Sequence, residues 1–296
     1  MTRVLGIDVG GTKVAIGVSA ADGPELSAHV RLDTGPDTLA RALAAARALD
    51  GAPAAVGFST CGVIRDGVVR LAPNVPGWEG LELPRLLQEA YGATPVAIDN
   101  DVNAAAAAEL RWGALRGVST GVYLNLGTGL AAALVVDGRV VPGAHGAAGE
   151  IGYLQVTPGE PAFADGRVPL EERVSGGALA ARGAALLGRP VTAAELLGGG
   201  HAREPVDETP GGDPARELVD GTLRTLAMSV ANLCVVLDPE RLVVGGGMMG
   251  AAELILPRLT AEVGRAVPFP PEIRPARFAD HAPLLGALAL ARAAVA

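Results

Sequence analysis

Residues 4–9 and 14–19 are two short apolar runs, separated by Gly10-Gly11-Thr12-Lys13. Two strand-length runs joined by a glycine-rich turn predict a β-hairpin. Residues 25–33 fit a third strand. In DTLARALAAARALD (37–50) the apolar positions recur at helical spacing and leave a polar face, which predicts a helix. A buried strand follows at 54–59, and the breaker-rich residues 60–80 predict a loop. Next come a helix at 83–92, a strand at 95–100 and a helix at 101–113 that opens on an acid and stops at a glycine.

The pattern then recurs. VYLNLGTGLAAALVVDG (122–138) is again strand, Gly-Thr-Gly turn, strand, with Asn125 standing where Asp8 stood. Such a repeat suggests two related halves. Past a glycine-rich segment (143–153) and a loop (157–169), helices are expected at 175–188, 215–239 and 281–296. A strand at 241–247 runs into three glycines. Strands and helices alternate, so the fold class is α/β.

Several of these junctions carry candidate chemistry. Gly10, Gly11 and Thr12 present successive N–H groups with little side chain in the way, which makes an anion nest. Thr12 adds a hydroxyl and Lys13 a charge, and Asp8 could hold Mg²⁺ through water. The competing reading is an ordinary hairpin turn whose glycines serve only backbone angles. Gly127, Thr128 and Gly129 form a second such turn. Gly246 and Gly247, in VVGGGMM (243–249), add a third bare stretch before a helix, suited to a nucleotide's base and ribose. None matches the P-loop or the G-x-G-x-x-G pattern.

Asp99, Asn100 and Asp101 sit where a strand ends and a helix begins, the usual place for ligands in α/β sheets. One of the three suffices as a helix cap. That leaves two for chemistry, and a carboxylate there can accept a proton from an attacking hydroxyl. Asn74, in APNVPGW (72–78), offers both donor and acceptor, as paired sugar hydroxyls need, and Glu150 accepts. Their ordinary readings are a turn residue and a surface acid. His145 reads as a loop histidine, and Met248 and Met249 as core packing.

At 296 residues, 49% hydrophobic and 19% charged, the chain can form two domains. Lys13 is the single lysine among 24 basic residues, which reads as codon usage and says little by itself. The net charge of −8, without any basic run interleaved with aromatics, argues against nucleic acid as a direct partner. Cys61 and Cys234 match no metal or redox spacing and read as buried thiols of a reducing compartment. No leader pattern and no run of about 18 apolar residues is seen. The expected location is therefore cytoplasmic, with no membrane partner.

With these residues in place, the chain resembles the ROK family of sugar kinases and sugar-responsive repressors, within the actin-like, RNase H-like ATPase superfamily. The resemblance runs through DVGGTK, APNVPGW, NDVNAA, LGTG, AGEIGY, LEERVSG, LDPERLVVGGG and LLGALALA, essentially the whole chain. It implies two actin-like domains closing on a cleft. These would be residues 1–113, with the closing helix 282–296 packed back on them, and residues 114–281. It implies ATP and Mg²⁺ as cofactors. Asp8, Gly10, Gly11, Thr12 and Lys13 match the first phosphate segment, with Asp8 near Mg²⁺. Gly127, Thr128 and Gly129 match the second, and Gly246 and Gly247 the adenosine segment. Asp101 matches the catalytic base and Asn100 its sugar-binding neighbour. Asn74, Glu150 and Glu171 match sugar-hydroxyl contacts, Glu171 through the family's Glu-x-x-x-Ser run ending at Ser175. A homodimer is implied as well.

Three departures stand out. The family usually has a sugar- and zinc-binding His where this chain has Tyr153, and a Cys-x-Cys-Gly-x-x-Gly-Cys zinc segment where residues 154–174 hold no cysteine. No structural zinc is expected, although the Tyr153 phenol can still hydrogen-bond a sugar hydroxyl. The second phosphate turn reads GTGLAAA, and Ala131 and Ala132 bring methyl groups beside it. The family's repressors carry a winged helix ahead of the first phosphate motif. That motif begins here at residue 6, so no DNA-binding segment is expected.

The expected activity is ATP-dependent phosphorylation of a hexose at its 6-hydroxyl. APNVPGW favours glucose, while STCGVIRDG (59–67) keeps an N-acylmannosamine open. A non-catalytic sugar-binding regulator is the alternative from another class. Polyphosphate as donor finds no extra basic channel in the sequence.

Overall fold

The computed structural model describes residues 2–20, 22–72, 75–198, 213–279 and 281–295. In chain order it carries β1 (Val4–Val9), β2 (Lys13–Ser19), β3 (Ala28–Asp33), α1 (Thr38–Leu49), β4 (Ala55–Thr60), β5 (Val63–Arg65), β6 (Val68–Arg70), α2 (Leu83–Tyr91), β7 (Val96–Asn100) and α3 (Asp101–Trp112). There follow β8 (Gly121–Leu126), β9 (Leu130–Val136), β10 (Arg139–Val140), α4 (Glu171–Val174), α5 (Gly176–Leu187) and α6 (Ala193–Gly198). The chain ends with α7 (Pro214–Leu237), β11 (Arg241–Gly245), α8 (Ala252–Ala266), β12 (Glu272–Pro275) and α9 (Ala282–Ala293). Two units emerge, Met1–Gly117 with Ala133–Ala148 and Asp280–Ala296, and Val118–Ala132 with Gly149–Ala279.

The first sheet has the order β3-β2-β1-β4-β7, and the second β10-β9-β8-β11-β12. In the first, β1, β2 and β3 are antiparallel while β1, β4 and β7 are parallel. In the second, β9 and β10 are antiparallel and β8, β11 and β12 parallel. Both sheets therefore lay out an antiparallel ribbon followed by added parallel strands, which is the duplication that the repeated turn suggests.

Strands β1 and β4 are nearly continuous apolar runs because both faces of their sheet are covered. Leu5, Ile7 and Val9 join a core with Ala42 and Ala46 of α1. The opposite face belongs to α9. Gly6 and Gly17 leave room there for Leu284 and Leu288. At Gly57 an added Cβ would lie 1.7 Å from the Ala287 carbonyl oxygen. At Gly286 it would lie 2.0 Å from that of Ala104 in α3. The α9 backbone thus rests directly on a strand and on a second helix. Arg292, near its end, donates to the carbonyls of Thr2 (2.7 Å) and Ser19 (3.0 Å).

Two stretches go beyond the sequence expectation. Residues 60–80 hold the β5–β6 hairpin, turned at Asp66-Gly67 with φ of 52° and 77°. Each strand is too short to register as an apolar run, and only the Asp-Gly pair marks it. Helix α8 stands where a helix is expected after VVGGGMM, its bounds left open. It buries Ile255, Leu259 and Val263 at four-residue spacing, but Pro257 interrupts the helical signal. Helix α7 is long and apolar enough to cross a membrane by composition, yet half of that stretch is buried inside the protein.

The close approach of α9 can be tested by calorimetry. Gly286→Ala should cost about 3 kcal/mol, at the upper end for overpacking. At this chain length each kcal/mol is worth roughly 2–4 °C in Tm. Gly264→Ala, in α8 with open space around it, should instead gain up to about 1 kcal/mol from helix propensity. Equal melting temperatures for the two variants would contradict this packing.

Candidate active site

The parallel register places Asp8, Ser59 and Asp99 in one row across β1, β4 and β7, near the carboxyl ends of the strands. The three acids of this neighbourhood are bound differently. One oxygen of Asp8 accepts the Ser59 hydroxyl at 2.7 Å. Burial pushes the Asp8 carboxyl up to about 7, opposed by that hydrogen bond and reinforced by the charge of Asp101. Asp99 accepts the Asn100 amide and the Asn103 side-chain amide, each at 2.8 Å. Burial raises its pKa and these two bonds restrain the rise.

Asn100 caps α3, its Oδ1 accepting the Asn103 amide at 2.7 Å. Capping and bracing therefore occupy Asn100 and Asp99 together, where the sequence reading allowed for one residue. Asp101 is left as the acid open to chemistry. Burial pushes its carboxyl up to about 6, against the backbone amides of the helix start. Such a group is ionised at neutral pH and still basic enough to take a proton.

Other groups of the first unit complete this corner. Cys61 is half-buried rather than buried as expected. Burial, with the charge of Asp101, pushes its thiol up to about 12, so it stays protonated. Trp78 is buried and donates from Nε1 to the Thr60 hydroxyl at 2.7 Å, tying the end of APNVPGW to β4. Asn74 lies outside the described residues. The Gly10–Thr12 turn is braced by Thr34, whose hydroxyl donates to the Gly10 carbonyl at 2.8 Å and whose amide donates to that of Thr12 at 3.1 Å. Lys13 opens β2 opposite Asp33 and is exposed. Together with Arg31, Leu32, Asp33 and Arg41 it lines a cavity of about 430 Å³.

The donor set suits a hydrated Mg²⁺. The second Asp8 oxygen takes no hydrogen bond among the described residues. No cluster of three or more His, Cys, Asp or Glu residues able to hold a metal occurs among them either. One carboxylate acting through water, with phosphates supplying the remaining oxygens, is a common Mg²⁺ arrangement.

In the second unit the Gly127–Gly129 turn joins β8 to β9. The start of α5 clasps it, with the Gly176 amide donating to the Gly127 carbonyl (2.9 Å) and that of Gly177 to Thr128 (3.1 Å). Glu171 braces the other side, where its Oε2 accepts the Leu130 amide at 2.8 Å. The Glu150–Tyr153 turn reaches the same place, since a Cβ on Gly152 would lie 3.2 Å from that of Glu171. Tyr153 packs edge-on against Phe163, with ring centroids 5.5 Å apart. Ala131 and Ala132 lie in β9, outside the lining of the neighbouring cavity.

That cavity measures about 1030 Å³ and runs from Gly127 and Thr128 past Gly176 and Gly177 to Gly247 and Met249. Met248 is buried, but both methionines line it, so core packing is only half of their role. Sequence reasoning missed Ser59, the Gly176-Gly177 pair and the α6 wall of this cavity. A polar residue at the end of an apolar run was the one available signal for Ser59.

The turn glycines divide by what they touch. Gly246 has φ 92°, and a Cβ there would lie 2.5 Å from the Leu126 carbonyl oxygen, so the fold requires glycine. Gly10 and Gly127 have no positive φ, and their added Cβ atoms would meet only ordinary contacts, at 3.4 and 3.5 Å. Backbone angles therefore do not explain them; their own amides close the turns, Gly10 on the Lys13 carbonyl (2.9 Å) and Gly127 on that of Gly129 (3.1 Å), and the missing side chains leave space beside the turn.

The ROK family profile matches residues 4–294. An N-acetylmannosamine kinase of Shigella flexneri is 32% identical over 299 residues, covering 98% of each chain. Among solved structures, a ROK hexokinase from Thermus thermophilus is 34% identical with a TM-score of 0.80, covering 99% of both chains. A ROK family glucokinase from Streptomyces griseus, in complex with glucose and AMPPNP, is 27% identical with a TM-score of 0.76, covering 98% of this chain and 99% of that one.

Gly127→Ala should leave stability within about 0.5 kcal/mol of the parent and weaken binding of a nucleoside triphosphate. Gly246→Ala should cost about 3 kcal/mol through backbone strain and overlap. Thermal melts paired with nucleotide titrations separate the two. A Gly127→Ala variant that melts like Gly246→Ala would show that the turn glycines serve the fold.

Proposed function

Because the chain belongs to the ROK family, we propose that it phosphorylates the 6-hydroxyl of glucose with ATP. It is an ATP-dependent kinase of hexoses; glucose and O6 are the finer part of the reading. The observation that carries the reading is Asp101, the acid at the start of α3 that is ionised at neutral pH, bonded to backbone amides alone and close enough to Asp8 for its charge to be felt there.

In this reading the sugar hydroxyl attacks the γ-phosphorus in line and Asp101 accepts its proton, help worth about 10²–10⁴-fold. The capping bond uses Asn100 Oδ1, so Asn100 offers a sugar its Nδ2 amide. Asn74, Glu150, Tyr153 and Glu171 supply the other hydroxyl contacts. The amides of Gly11 and Thr12, with Lys13, and those of Thr128 and Gly129 hold phosphate oxygens in their respective units, while the amides of Gly10 and Gly127 close the turns. Gly246 and Gly247 carry the nucleoside. Asp8 would hold Mg²⁺ through water, and that ion supplies neutralisation of phosphate charge.

An N-acylmannosamine is the second acceptor to consider, favoured by the 32% identity to the Shigella flexneri kinase. The reading places the protein in the cytoplasm as a homodimer. Helix α7 supports the latter by exposing Met228 (41%), Val235 (53%) and Val236 (85%).

The first experiment is ADP release with MgATP against hexoses, N-acylhexosamines and buffer. Glucose-dependent release, lost in Asp101→Asn by at least about 10²-fold with sugar binding retained, is the expected result. Release with N-acylmannosamine alone would transfer the reading to that sugar, and sugar binding without release would make the protein a regulator. The base acts ionised, so kcat/KM should fall below an apparent pKa near 6 as Asp101 takes up a proton. A profile flat down to pH 4.5 would refute the assignment. Val236→Glu should convert the dimer to a monomer in light scattering, and a parent that is already monomeric would refute the interface.

A further inference from the structure

The second-unit cavity contains a carboxylate where a polyanion is expected to bind. Of the described side chains that line it, three are polar: Thr128, Thr192 and Glu253. Thr128 belongs to the phosphate turn. The Thr192 hydroxyl spends its one proton on the Glu195 carboxylate (2.8 Å) and accepts the Glu195 amide (3.1 Å), closing the start of α6. The remaining wall at that end, including Val191, Ala194, Leu197 and Met249, is apolar. Among the described lining side chains, Thr128 alone keeps an uncommitted donor, and it stands at the phosphate turn.

Glu253 stands exposed in the first turn of α8, at the edge of the cavity, and makes no ion pair or hydrogen bond among the described residues. Pro257, four residues on, has no N–H to offer the Glu253 carbonyl, so the backbone of this turn also lacks its usual helical bond. Beside a bound triphosphate, an unpaired carboxylate repels the ligand. The cost turns into attraction where the carboxylate accepts hydroxyl protons, in a charge-assisted hydrogen bond. On a nucleotide, the hydroxyls are those of the ribose.

We infer that this site recognises its donor by the ribose hydroxyls, through Glu253, and not by the base, so that purine ribonucleoside triphosphates serve alike while deoxy analogues serve poorly. The inference rests on the reading of this cavity as the nucleotide site. An apolar pocket discriminates weakly between ligands of similar shape, whereas a site built to pair a hydroxyl rejects the analogue that lacks it.

The test is steady-state phosphorylation of the preferred hexose with ATP, GTP, 2′-deoxy-ATP and 3′-deoxy-ATP, in the parent and in Glu253→Ala. GTP should match ATP in kcat/KM to within about tenfold. At least one deoxy analogue should fall about tenfold or more, mainly through KM. Glu253→Ala should raise KM for ATP toward the deoxy value and leave that analogue nearly unchanged, a coupling that general loosening of α8 would not produce. Glu253→Gln, which keeps an acceptor, should restore part of the preference. GTP poorer than ATP by more than 100-fold, or equal use of ATP and both deoxy analogues, overturns this inference alone. Failure with every nucleotide, ATP included, overturns the kinase reading and this inference with it.

Discussion

Helix α9 lies so close to β4 and α3 that a single methyl group at Gly57 or Gly286 would overlap a carbonyl oxygen. Contact of backbone on backbone is possible only where side chains are missing, and interiors packed to crystal-like density give little room for adjustment. The same economy recurs in the second unit, where Gly176 and Gly177 bring the start of α5 onto the Gly127–Gly129 turn. A chain rich in Gly and Ala and poor in aromatics fills its core by close approach of whole elements, not by large side chains.

That packing leaves a second class of glycine visible. Gly10, Gly127 and Gly247 meet neither strain nor crowding. Where the fold does not ask for glycine, the missing side chain leaves open space. The turns are braced on their carbonyls by Thr34 in the first and by Gly176 and Gly177 in the second, while Glu171 holds the Leu130 amide. The Gly10 and Gly127 amides close their own turns, on the Lys13 and Gly129 carbonyls.

The acids of the first unit show how position within one strand end sorts identical chemistry. Asp99 accepts two hydrogen bonds and serves the helix start, Asp8 accepts one from Ser59, and Asp101 leans on backbone amides. Burial raises all three, and the number and kind of bonds decide how far. Asp101 near 6 and Asp8 near 7 are both raised well above the ordinary carboxyl value, burial being the largest cause in each.

The sequence by itself determined the hairpin that turns after Asp8, its echo that turns after Asn125, the helix opening at Asp101 and the buried closing helix. Each of these is a local pattern of apolar spacing, turn residue and cap. It hid β5–β6, whose strands are too short to show a period, and left open the bounds of α8, whose proline broke one. Only the tertiary structure decided which glycines are required and which are free, that Asp99 and Asn100 are both spent on the start of α3, and that Glu253 stands unpaired at the edge of a cavity. Those outcomes depend on atoms brought together from distant parts of the chain, such as Leu126 against Gly246 or Ser59 against Asp8, and no run of neighbouring residues encodes a distance of that kind.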